Sequence, residues 1–360
     1  YKLKDVLYVA FVLKKEYASP KMIPLFTQKD LLDMKEEEWY TTTKLNEMLW
    51  KPLSDELKGM KNIYFAPTGL LHGIAIENLP DTHGYINEKY NLYRLSSTRE
   101  LVKKRSRNMI KNVALYGGLV YDTDTVFRAS DIQRGDAPYL PGTLREIEAI
   151  SHLFQEKKRV NVVSFSGLSG TEESLKALSG KDLDILHIAT HGFYLSEEKI
   201  HWMKDNAFLQ QVNVEKATLE EKALVRSGLL LSGANYAFNG GNVNDGVEDG
   251  VLTAKELANV DFQSLELVVL SACQSGLGDI TGDGVFGLQR GFKKAGAKTL
   301  LMSLWKVDDE ATSLFMTEFY RNLIAGKDAY GALRTAQEYL RSLRPNPYYW
   351  AAFVLLDALI

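Results

Sequence analysis

The stretch Leu265-Glu-Leu-Val-Val-Leu-Ser-Ala-Cys-Gln-Ser-Gly276 decides the fold class of this chain. Its apolar run includes two adjacent valines, a pattern typical of a strand that is buried on both faces of a parallel sheet. The run ends in small residues, and the single cysteine of the chain, Cys273, stands where the strand ends. In open α/β sheets the carboxyl ends of the strands form the ligand-binding edge. We therefore expect the thiol of Cys273 to lie at that edge.

A second stretch of the same kind, Asp184-Ile-Leu-His-Ile-Ala-Thr-His-Gly192, supplies a partner for the thiol. A free thiol has a pKa of about 8.5 and is mostly protonated at neutral pH, so a working cysteine needs a base. His191 follows the second strand as Cys273 follows the first, and this arrangement predicts a cysteine–histidine dyad. Two structural alternatives stay open. Cys273 on its own could be a buried small hydrophobe, and the pair His191-Gly192 could be a turn that ends a strand.

The composition is that of an ordinary globular protein: 360 residues, 45% hydrophobic, 25% charged, with a net charge of −3. The near-neutral charge gives no electrostatic support for a nucleic-acid or membrane partner. No apolar run reaches the ~18 residues of a membrane span, and no signal leader is present, so we expect a cytoplasmic location, where a working thiol stays reduced. The chain opens on Tyr1 rather than Met, which favours a segment of a longer protein. One cysteine excludes an internal disulfide and Cys-rich metal sites.

Strand-like and helix-like segments alternate along the chain, which predicts an α/β fold with a mostly parallel sheet flanked by helices. The order begins with a strand at 6–13. Two local predictions concern helix starts: a helix over 97–109, and a helix through Gln155 with Thr143 as its N-cap. The last apolar strand is predicted at 350–356. The irregular stretch before residue 140 indicates a junction, which gives an N-terminal lobe at 1–139 and a second lobe at 140–360.

Motifs in a fixed order give the chain a recognisable signature. The series resembles the CHAT family of caspase-like cysteine peptidases, relatives of separase, caspases and gingipains. It covers nearly the whole chain and comprises Tyr8-Val-Ala-Phe-Val-Leu13, Ala66-Pro-Thr-Gly-Leu-Leu-His72, Leu140-Pro-Gly-Thr143, Leu186-His-Ile-Ala-Thr-His-Gly192, Asp249-Gly-Val-Leu-Thr-Ala254, Leu267-Val-Val-Leu-Ser-Ala-Cys-Gln-Ser-Gly276, Gly282-Asp-Gly-Val-Phe-Gly-Leu-Gln-Arg-Gly-Phe292, Ala295-Gly-Ala297, Ser303-Leu-Trp-Lys-Val-Asp-Asp309 and Tyr349-Trp-Ala-Ala-Phe353.

The resemblance implies two caspase-like lobes, in which residues 1–139 form a pseudo-caspase copy without a dyad and residues 140–360 carry the chemistry. It also implies a cysteine endopeptidase with His191 as general base and Cys273 as nucleophile. Family members follow the last strand with a glycine, whereas this chain has Asp357 there. The expected partners are a protein substrate, and tetratricopeptide repeats upstream or an activating partner. No cofactor and no catalytic metal are expected.

Two further features of the site are expected. Gly192 lacks a Cβ, so its N–H can approach a substrate carbonyl, and together with the N–H of Cys273 it would form an oxyanion hole. In related separases an acid at the position of Asp308 contacts a basic P1 side chain, and Asp309 is its neighbour. The alternative for Asp308 or Asp309 is a purely structural role as the N-cap of the following helix.

Two features of the sequence fit classes of function other than a peptidase. Gly282-Asp-Gly-Val-Phe-Gly287 fits a dinucleotide fingerprint, but Gly282 lies nine positions after Cys273, whereas the fingerprint turn should follow its strand directly. A catalytically silent scaffold that binds partners is the other alternative. His187 precedes His191 by four residues, which in a strand span ~13 Å and cannot share one metal, so it is predicted to be structural. The polar run 242–249 lacks the ordered ligands of an EF-hand and is predicted to be an exposed loop.

Overall fold

The chain divides into two compact units. A computed structural model describes residues 6–103, 109–122, 137–155, 160–195, 218–238, 248–272, 278–281 and 284–359. One unit comprises residues 1–65 and 75–93, and the other comprises residues 66–74 and 94–360. The predicted assignment of a pseudo-caspase copy to 1–139 and a catalytic copy to 140–360 stays a prediction.

The first unit contains an antiparallel hairpin followed by short helices. Strand β1 (Leu7–Val12) pairs with β2 (Lys21–Thr27), which confirms the predicted strand at 6–13. Tyr8 and Phe26 stack on the buried side of this hairpin with ring centroids 5.1 Å apart. The remaining elements are short: β3 (Asn62–Phe65), β4 (Pro80–Asp81), β5 (Gly84–Tyr85), β6 (Asn91–Arg94), α1 (Gln28–Leu32), α2 (Glu36–Thr41), α3 (Lys44–Leu49), α4 (Ser54–Leu57) and α5 (Ile86–Lys89).

The second unit is organised around a mostly parallel sheet, as predicted. Its strand order is β17-β16-β13-β9-β7-β8, and only β17 runs antiparallel to its neighbour β16. The strands of this sheet are β7 (Asn112–Leu119), β8 (Asn161–Gly167), β9 (Ile185–Ala189), β13 (Leu267–Ser271), β16 (Thr299–Ser303) and β17 (Phe353–Leu356). The central strands β9 and β13 are almost wholly buried, which explains their uninterrupted apolar sequences.

Helices flank this sheet, and smaller strands continue from its carboxyl ends. Helix α12 (Asp309–Ile324) packs against both α6 (Pro141–Gln155) and α13 (Ala329–Leu343), and α10 (Ala254–Leu257) packs against α11 (Leu288–Ala295). Strands β10, β11 and β12 form an antiparallel three-stranded sheet, and β14 pairs with β15. These elements are α6 (Pro141–Gln155), α7 (Glu172–Lys176), β10 (Gly192–Tyr194), α8 (Leu219–Val225), β11 (Ser227–Leu230), α9 (Ala234–Phe238), β12 (Val251–Thr253), α10 (Ala254–Leu257), β14 (Gly278–Thr281), β15 (Gly284–Gly287), α11 (Leu288–Ala295), α12 (Asp309–Ile324), α13 (Ala329–Leu343) and α14 (Pro347–Trp350).

Two helices differ from the predictions, one in where it begins and the other in its type and length. Thr143 is not an N-cap, because α6 begins earlier, at Pro141. The Thr143 hydroxyl instead donates to Leu140 O and accepts from the N–H of Gly118, so it joins the first turn of the helix to β7. The helix predicted over 97–109 is a short 3-10 turn, Thr98–Val102, with residues 104–108 outside the described part of the chain.

The end of the last strand explains the departure from glycine at residue 357. The strand predicted at 350–356 begins at Phe353, because Trp350 belongs to α14. Asp357 then has φ +58°, a left-handed conformation that glycine adopts without strain. Its buried carboxylate compensates by accepting from the N–H and hydroxyl of Ser96 and by pairing with Lys293 at 2.9 Å. Aspartate is therefore stabilised here by specific partners.

Candidate active site

The two strands that carry the predicted reactive residues are direct neighbours. Strand β13 pairs in parallel with β9, and the register places Ser271 opposite Ala189. His191 lies two residues beyond Ala189, and Cys273 lies two residues beyond Ser271. Parallel strands end at one edge of a sheet, where α/β folds bind ligands. Residues 273–277 lie outside the described part of the chain, so the dyad of Cys273 and His191 stays a prediction.

A hydrogen bond fixes the backbone that leads into Cys273. The hydroxyl of Ser303 donates to the carbonyl oxygen of Ala272 at 3.0 Å, and both residues are buried. Ser303 ends β16, the strand on the other side of β13. This hydrogen bond therefore joins the end of β16 to the residue before the cysteine.

A backbone carbonyl orients the imidazole of His191. Its Nε2 lies 2.7 Å from the carbonyl oxygen of Pro138. A carbonyl oxygen can only accept, so Nε2 carries the proton, and a neutral ring keeps its free lone pair on Nδ1. This is the protonation state that a general base needs. Neither Pro138 nor any other backbone acceptor was foreseen from the sequence, because any residue type can supply a carbonyl.

Opposing influences set the pKa of His191. Partial burial lowers this pKa from its usual 6.5, whereas the Pro138 carbonyl raises it; Lys306 lowers it and Asp309 raises it through their charges. Burial has the largest effect, so the pKa lies below the usual value. Before any thiolate is present, the ring is neutral at neutral pH and can accept a proton.

Tyr121 supports the histidine from the end of β7. Its ring centroid lies 5.1 Å from that of His191, with the planes tilted by 56°. The buried hydroxyl of Tyr121 lies 2.8 Å from Thr190 Oγ1, which itself donates to Leu230 O. Tyr121 therefore donates to Thr190, and burial raises the tyrosine pKa to about 12. The sequence did not single out Tyr121, which begins a stretch predicted to be an irregular junction.

Gly192 and the two aspartates lie near this edge. Gly192 opens β10 directly after His191, opposite Leu229 of β11; its predicted part in an oxyanion hole stays a prediction. Asp308 is the N-cap of α12, with Oδ1 accepting from Ala311 N at 3.0 Å, whereas its Oδ2 is buried without a hydrogen-bond partner among the described residues. Asp309 is exposed, and its Cβ lies 3.2 Å from where a Cβ on Gly142 would stand.

His187 lies in the core, away from any cluster of metal ligands that the described residues form. Its Nδ1 lies 3.1 Å from the hydroxyl of Tyr320. Its Nε2 lies 2.9 Å from Glu146 Oε1, without the angles of a hydrogen bond. All three side chains are buried, and burial raises the pKa of Tyr320 well above 10. Glu146, His187 and Tyr320, referred to below as the trio, connect α6, β9 and α12. Their role is therefore structural.

One group of carboxylates has the spacing of a metal site. Oxygens of Glu172, Glu248 and Glu256 lie within 4.8 Å of one another. The ammonium group of Lys176 contacts all three, at 2.8, 2.5 and 3.3 Å. The lysine therefore already supplies the cation, and the arrangement gives no support for a metal ion.

The hairpin of β14 and β15 decides against a dinucleotide site. Gly284–Gly287 form a strand paired with Gly278–Thr281, and α11 begins only at Leu288. A dinucleotide fingerprint needs these glycines in a tight turn between a strand and a helix. Across the described part of the chain, no helix combines the length and the apolarity needed to cross a bilayer.

Curated relatives of this chain are much longer proteins. Tetratricopeptide repeat protein 28 of Homo sapiens is 25% identical over 310 residues, which is 82% of this chain and 12% of that protein. Tetratricopeptide repeat protein 28 of Mus musculus is 37% identical over 110 residues, which is 30% of this chain and 4% of that protein. The chain thus spans a small part of the relatives that it matches.

Solved structures and the family profile agree on the fold. The Arg specific cysteine proteinase gingipain R superposes on 85% of this chain and 66% of its own, with a TM-score of 0.51 and 7% identity. The complex of Porphyromonas gingivalis RgpB pro- and mature domains superposes on 86% of this chain and 69% of its own, with a TM-score of 0.51 and 8% identity. These likenesses confirm the predicted caspase-like α/β fold. The CHAT domain profile matches residues 41–358, and the chain belongs to the CHAT domain family.

Proposed function

We propose that this chain is a cysteine endopeptidase that cleaves a protein partner, with Cys273 as nucleophile and His191 as general base. The observation that carries the proposal is the parallel register of β9 and β13, which ends both strands at one edge with Ser271 opposite Ala189. The orientation of His191 by the Pro138 carbonyl supports it, because a dyad base is normally held by a third group.

The residues of the dyad have the chemistry that peptide hydrolysis needs. Nδ1 of His191 takes the thiol proton, and the sulfur of Cys273 attacks the substrate carbonyl carbon, so that a C–S bond forms and the carbonyl electrons move to oxygen. The imidazolium then gives its proton to the leaving amine as the C–N bond breaks. Water, deprotonated by Nδ1, attacks the thioester carbonyl carbon. The C–S bond then breaks, the imidazolium returns its proton to the leaving sulfur, and the acid product leaves. Throughout the reaction the proton on Nε2 stays on that nitrogen, hydrogen-bonded to the carbonyl oxygen of Pro138.

The oxyanion of each tetrahedral intermediate needs donors close to the sulfur. We assign this role to the backbone N–H groups of Gly192 and Cys273. One good donor of this kind lowers the barrier by ~3–4 kcal/mol. Gly192 directly follows the base at the sheet edge, which supports the assignment.

Proteome-wide mapping of cleavage sites tests the activity. Wild-type chain is compared with Cys273→Ala and His191→Ala, and with His152→Ala, a matched variant of an exposed histidine on α6. New termini should appear with the wild type and His152→Ala and be absent with the other two, although all four fold. Cleavage that persists in Cys273→Ala or His191→Ala contradicts the proposal. Folded wild type that cuts nothing and resists a thiol-directed peptide inhibitor would instead favour a silent scaffold.

Asp308 is proposed to bind a basic P1 side chain of the substrate, with Asp309 beside it. The support is the buried Oδ2 of Asp308, which has no hydrogen-bond partner in the described part of the chain, since a buried carboxylate oxygen is stabilised by a cationic partner. A peptide library scanned at P1 should show a preference for Lys or Arg that Asp308→Asn abolishes. Asp328→Asn is the matched control, because Asp328 caps α13 in the same way, with Oδ1 2.6 Å from Gly331 N. Asparagine is as good an N-cap as aspartate, so Asp308→Asn should keep the helix intact. An unchanged P1 preference in this variant would show that Asp308 acts only as the N-cap of α12.

Regulation by a helical repeat module, upstream or on an activating partner, is part of the proposal. The name of the mammalian relatives supports it, and the hairpin offers a surface. This hairpin, β1 and β2, exposes several large apolar side chains. Their exposed fractions are 55% for Leu7, 69% for Phe11, 66% for Leu13 and 58% for Met22, which lies opposite Phe11. A photo-crosslinker at position 11 should capture helical repeat peptides in cells, whereas one at the exposed Tyr348 should not. Equal capture at both positions contradicts the role of the hairpin.

A further inference from the structure

One buried asparagine joins two chain segments on either side of residues 123–136. Asn235, the second residue of α9, is 3% exposed. Its side-chain Nδ2 donates to Asp122 Oδ1 at 2.8 Å and to Ala137 O at 3.2 Å. Its Oδ1 accepts from Ala137 N at 2.9 Å, and its backbone N–H donates to Tyr121 O at 3.0 Å. The amide is therefore bonded to both the incoming and the outgoing segment.

Both of the segments that Asn235 joins end in contacts to His191. Tyr121, on the incoming side, packs its ring against the imidazole. Pro138, directly after Ala137 on the outgoing side, supplies the carbonyl that accepts from Nε2 at 2.7 Å. One side chain thus fixes the separation of the two groups that hold the histidine.

We propose that Asn235 is a positioning residue for His191, which holds Tyr121 and the Pro138 carbonyl at the distances that orient the imidazole. The inference deepens the proposed function, because His191 is the proposed general base there. Asn235 acts through its neighbours, and the structure gives it no direct contact with the imidazole.

The chemistry of the position explains why an amide is needed. Ala137 presents both its N–H and its carbonyl to the same side chain, so the side chain must accept and donate at once. Aspartate could accept but not donate, and it would place a second carboxylate against Asp122. Leucine could do neither and would leave buried polar groups unpaired.

Loss of the side chain should leave the fold in place. Two backbone bonds hold this region independently: Gly233 N to Val120 O at 3.1 Å, and Asn235 N to Tyr121 O at 3.0 Å. The outgoing segment, in contrast, is tied to α9 by the Asn235 amide. The Pro138 carbonyl is therefore the group that should move.

Titration of the His191 imidazole by NMR tests the inference without any need for catalysis. The spectra are recorded in a Cys273→Ala background, with His191→Gln for assignment. Asn235→Ala should lower the pKa of His191, since the Pro138 carbonyl stabilises the imidazolium and raises that pKa. Asn235→Ser is the milder variant and should shift it less. Asn87→Ala is the control: this asparagine is 7% exposed, donates to Asn78 Oδ1 at 2.7 Å, and lies in the other unit.

Alkylation of Cys273 gives a second readout in the protein that retains the thiol. Cys273 is the single cysteine, so iodoacetamide reports on it alone. A lower His191 pKa stabilises the thiolate less, and the rate at neutral pH should fall about two- to tenfold in Asn235→Ala, which corresponds to one lost hydrogen bond. If wild-type Cys273 reacts no faster than a free thiol, the proposed function fails, and the NMR titration still decides the role of Asn235.

An unchanged His191 titration in Asn235→Ala, with a loss of thermal stability equal to that of Asn87→Ala, would overturn the inference. So would the failure of both Asn235→Ala and Asn235→Ser to fold, because the residue would then be required for the fold itself. A shift in Asn235→Ala that Asn87→Ala lacks confirms it.

Discussion

His191 donates its Nε2 proton to the backbone carbonyl of Pro138 at 2.7 Å. The acceptor is part of the backbone, so it keeps no charge of its own and does not titrate. It fixes the tautomer of the ring, and the charged groups around the ring then adjust how readily the imidazole takes a second proton. Among the described residues, Lys306 and Asp309 have this effect, and they act in opposite directions.

Neutralising these two residues should move the pKa of His191 in opposite directions. Lys306→Gln removes a positive charge that disfavours the imidazolium, so the pKa should rise; Asp309→Asn removes a negative charge that favours it, so the pKa should fall. NMR titration at low ionic strength measures both, and 0.5 M salt should reduce both shifts by screening. Shifts of the same sign would show that the geometry, rather than the charge, has changed.

Ser303→Ala should reduce the reactivity of Cys273 with little loss of stability. The hydroxyl of Ser303 holds the carbonyl of Ala272, the residue before the cysteine. We expect alkylation by iodoacetamide to slow by about two- to tenfold and stability to fall by about 1 kcal/mol, as for one buried hydrogen bond. Thr299→Val is the control, because Thr299 Oγ1 donates to Asp357 O at the other end of the same strand. Equal rates in the two variants would contradict the role of Ser303.

Glu146→Ala should strongly destabilise the fold. Removing this buried side chain leaves a cavity and a buried imidazole nitrogen without its polar neighbour, a change that typically costs ~2–4 kcal/mol. Tyr320→Phe removes only a hydroxyl near Nδ1 and should cost about 1 kcal/mol. Chemical denaturation measures both, with exposed Glu148→Ala expected within about 0.5 kcal/mol of wild type. A cost for Glu146→Ala as small as that of Glu148→Ala would show that the trio contributes little.

The stability of the fold should fall as the pH rises between 4.5 and 8 because of Glu172. Burial, together with the Glu256 and Glu248 charges, raises the pKa of Glu172 from 4.5 to about 8, against the lowering effect of Lys176. The folded state therefore keeps this proton to a higher pH than the unfolded chain does. Because of this difference, Glu172 stabilises the folded state fully at low pH, and its contribution to the free energy of unfolding is lost as the pH rises from 4.5 to about 8.

Comparison with Glu172→Gln isolates this dependence. The variant cannot ionise, so its free energy of unfolding should decline less between pH 5 and pH 8 than that of wild type, by on the order of 2–3 kcal/mol. Urea denaturation at the two pH values measures the difference. Parallel declines in the two proteins would show that Glu172 is ionised throughout this range.

The apolar runs at 184–190 and 265–271 were sufficient to predict two buried strands, because a continuous run of apolar residues can be buried on both faces only inside a sheet. Asp308 was predicted as a possible cap and is one. Thr143 has the same local signal and is not a cap, since its hydroxyl bonds across to Gly118 instead. The glycines of 284–287 form a strand because a partner strand pairs with them. Local sequence cannot report such distant partners.

The sequence by itself determined the class of the fold and the order of the motifs, and it predicted the pair Cys273 and His191 as the reactive residues. These depend on periodicity and residue type, which are local properties. Only the tertiary structure decided what surrounds the histidine: the carbonyl of Pro138, the ring of Tyr121 and the amide of Asn235. Every residue has a backbone carbonyl, so the sequence cannot indicate which carbonyl will accept a hydrogen bond. The hydrogen bonds of Asn235 join segments that are far apart in sequence, and these segments meet only when the chain has folded.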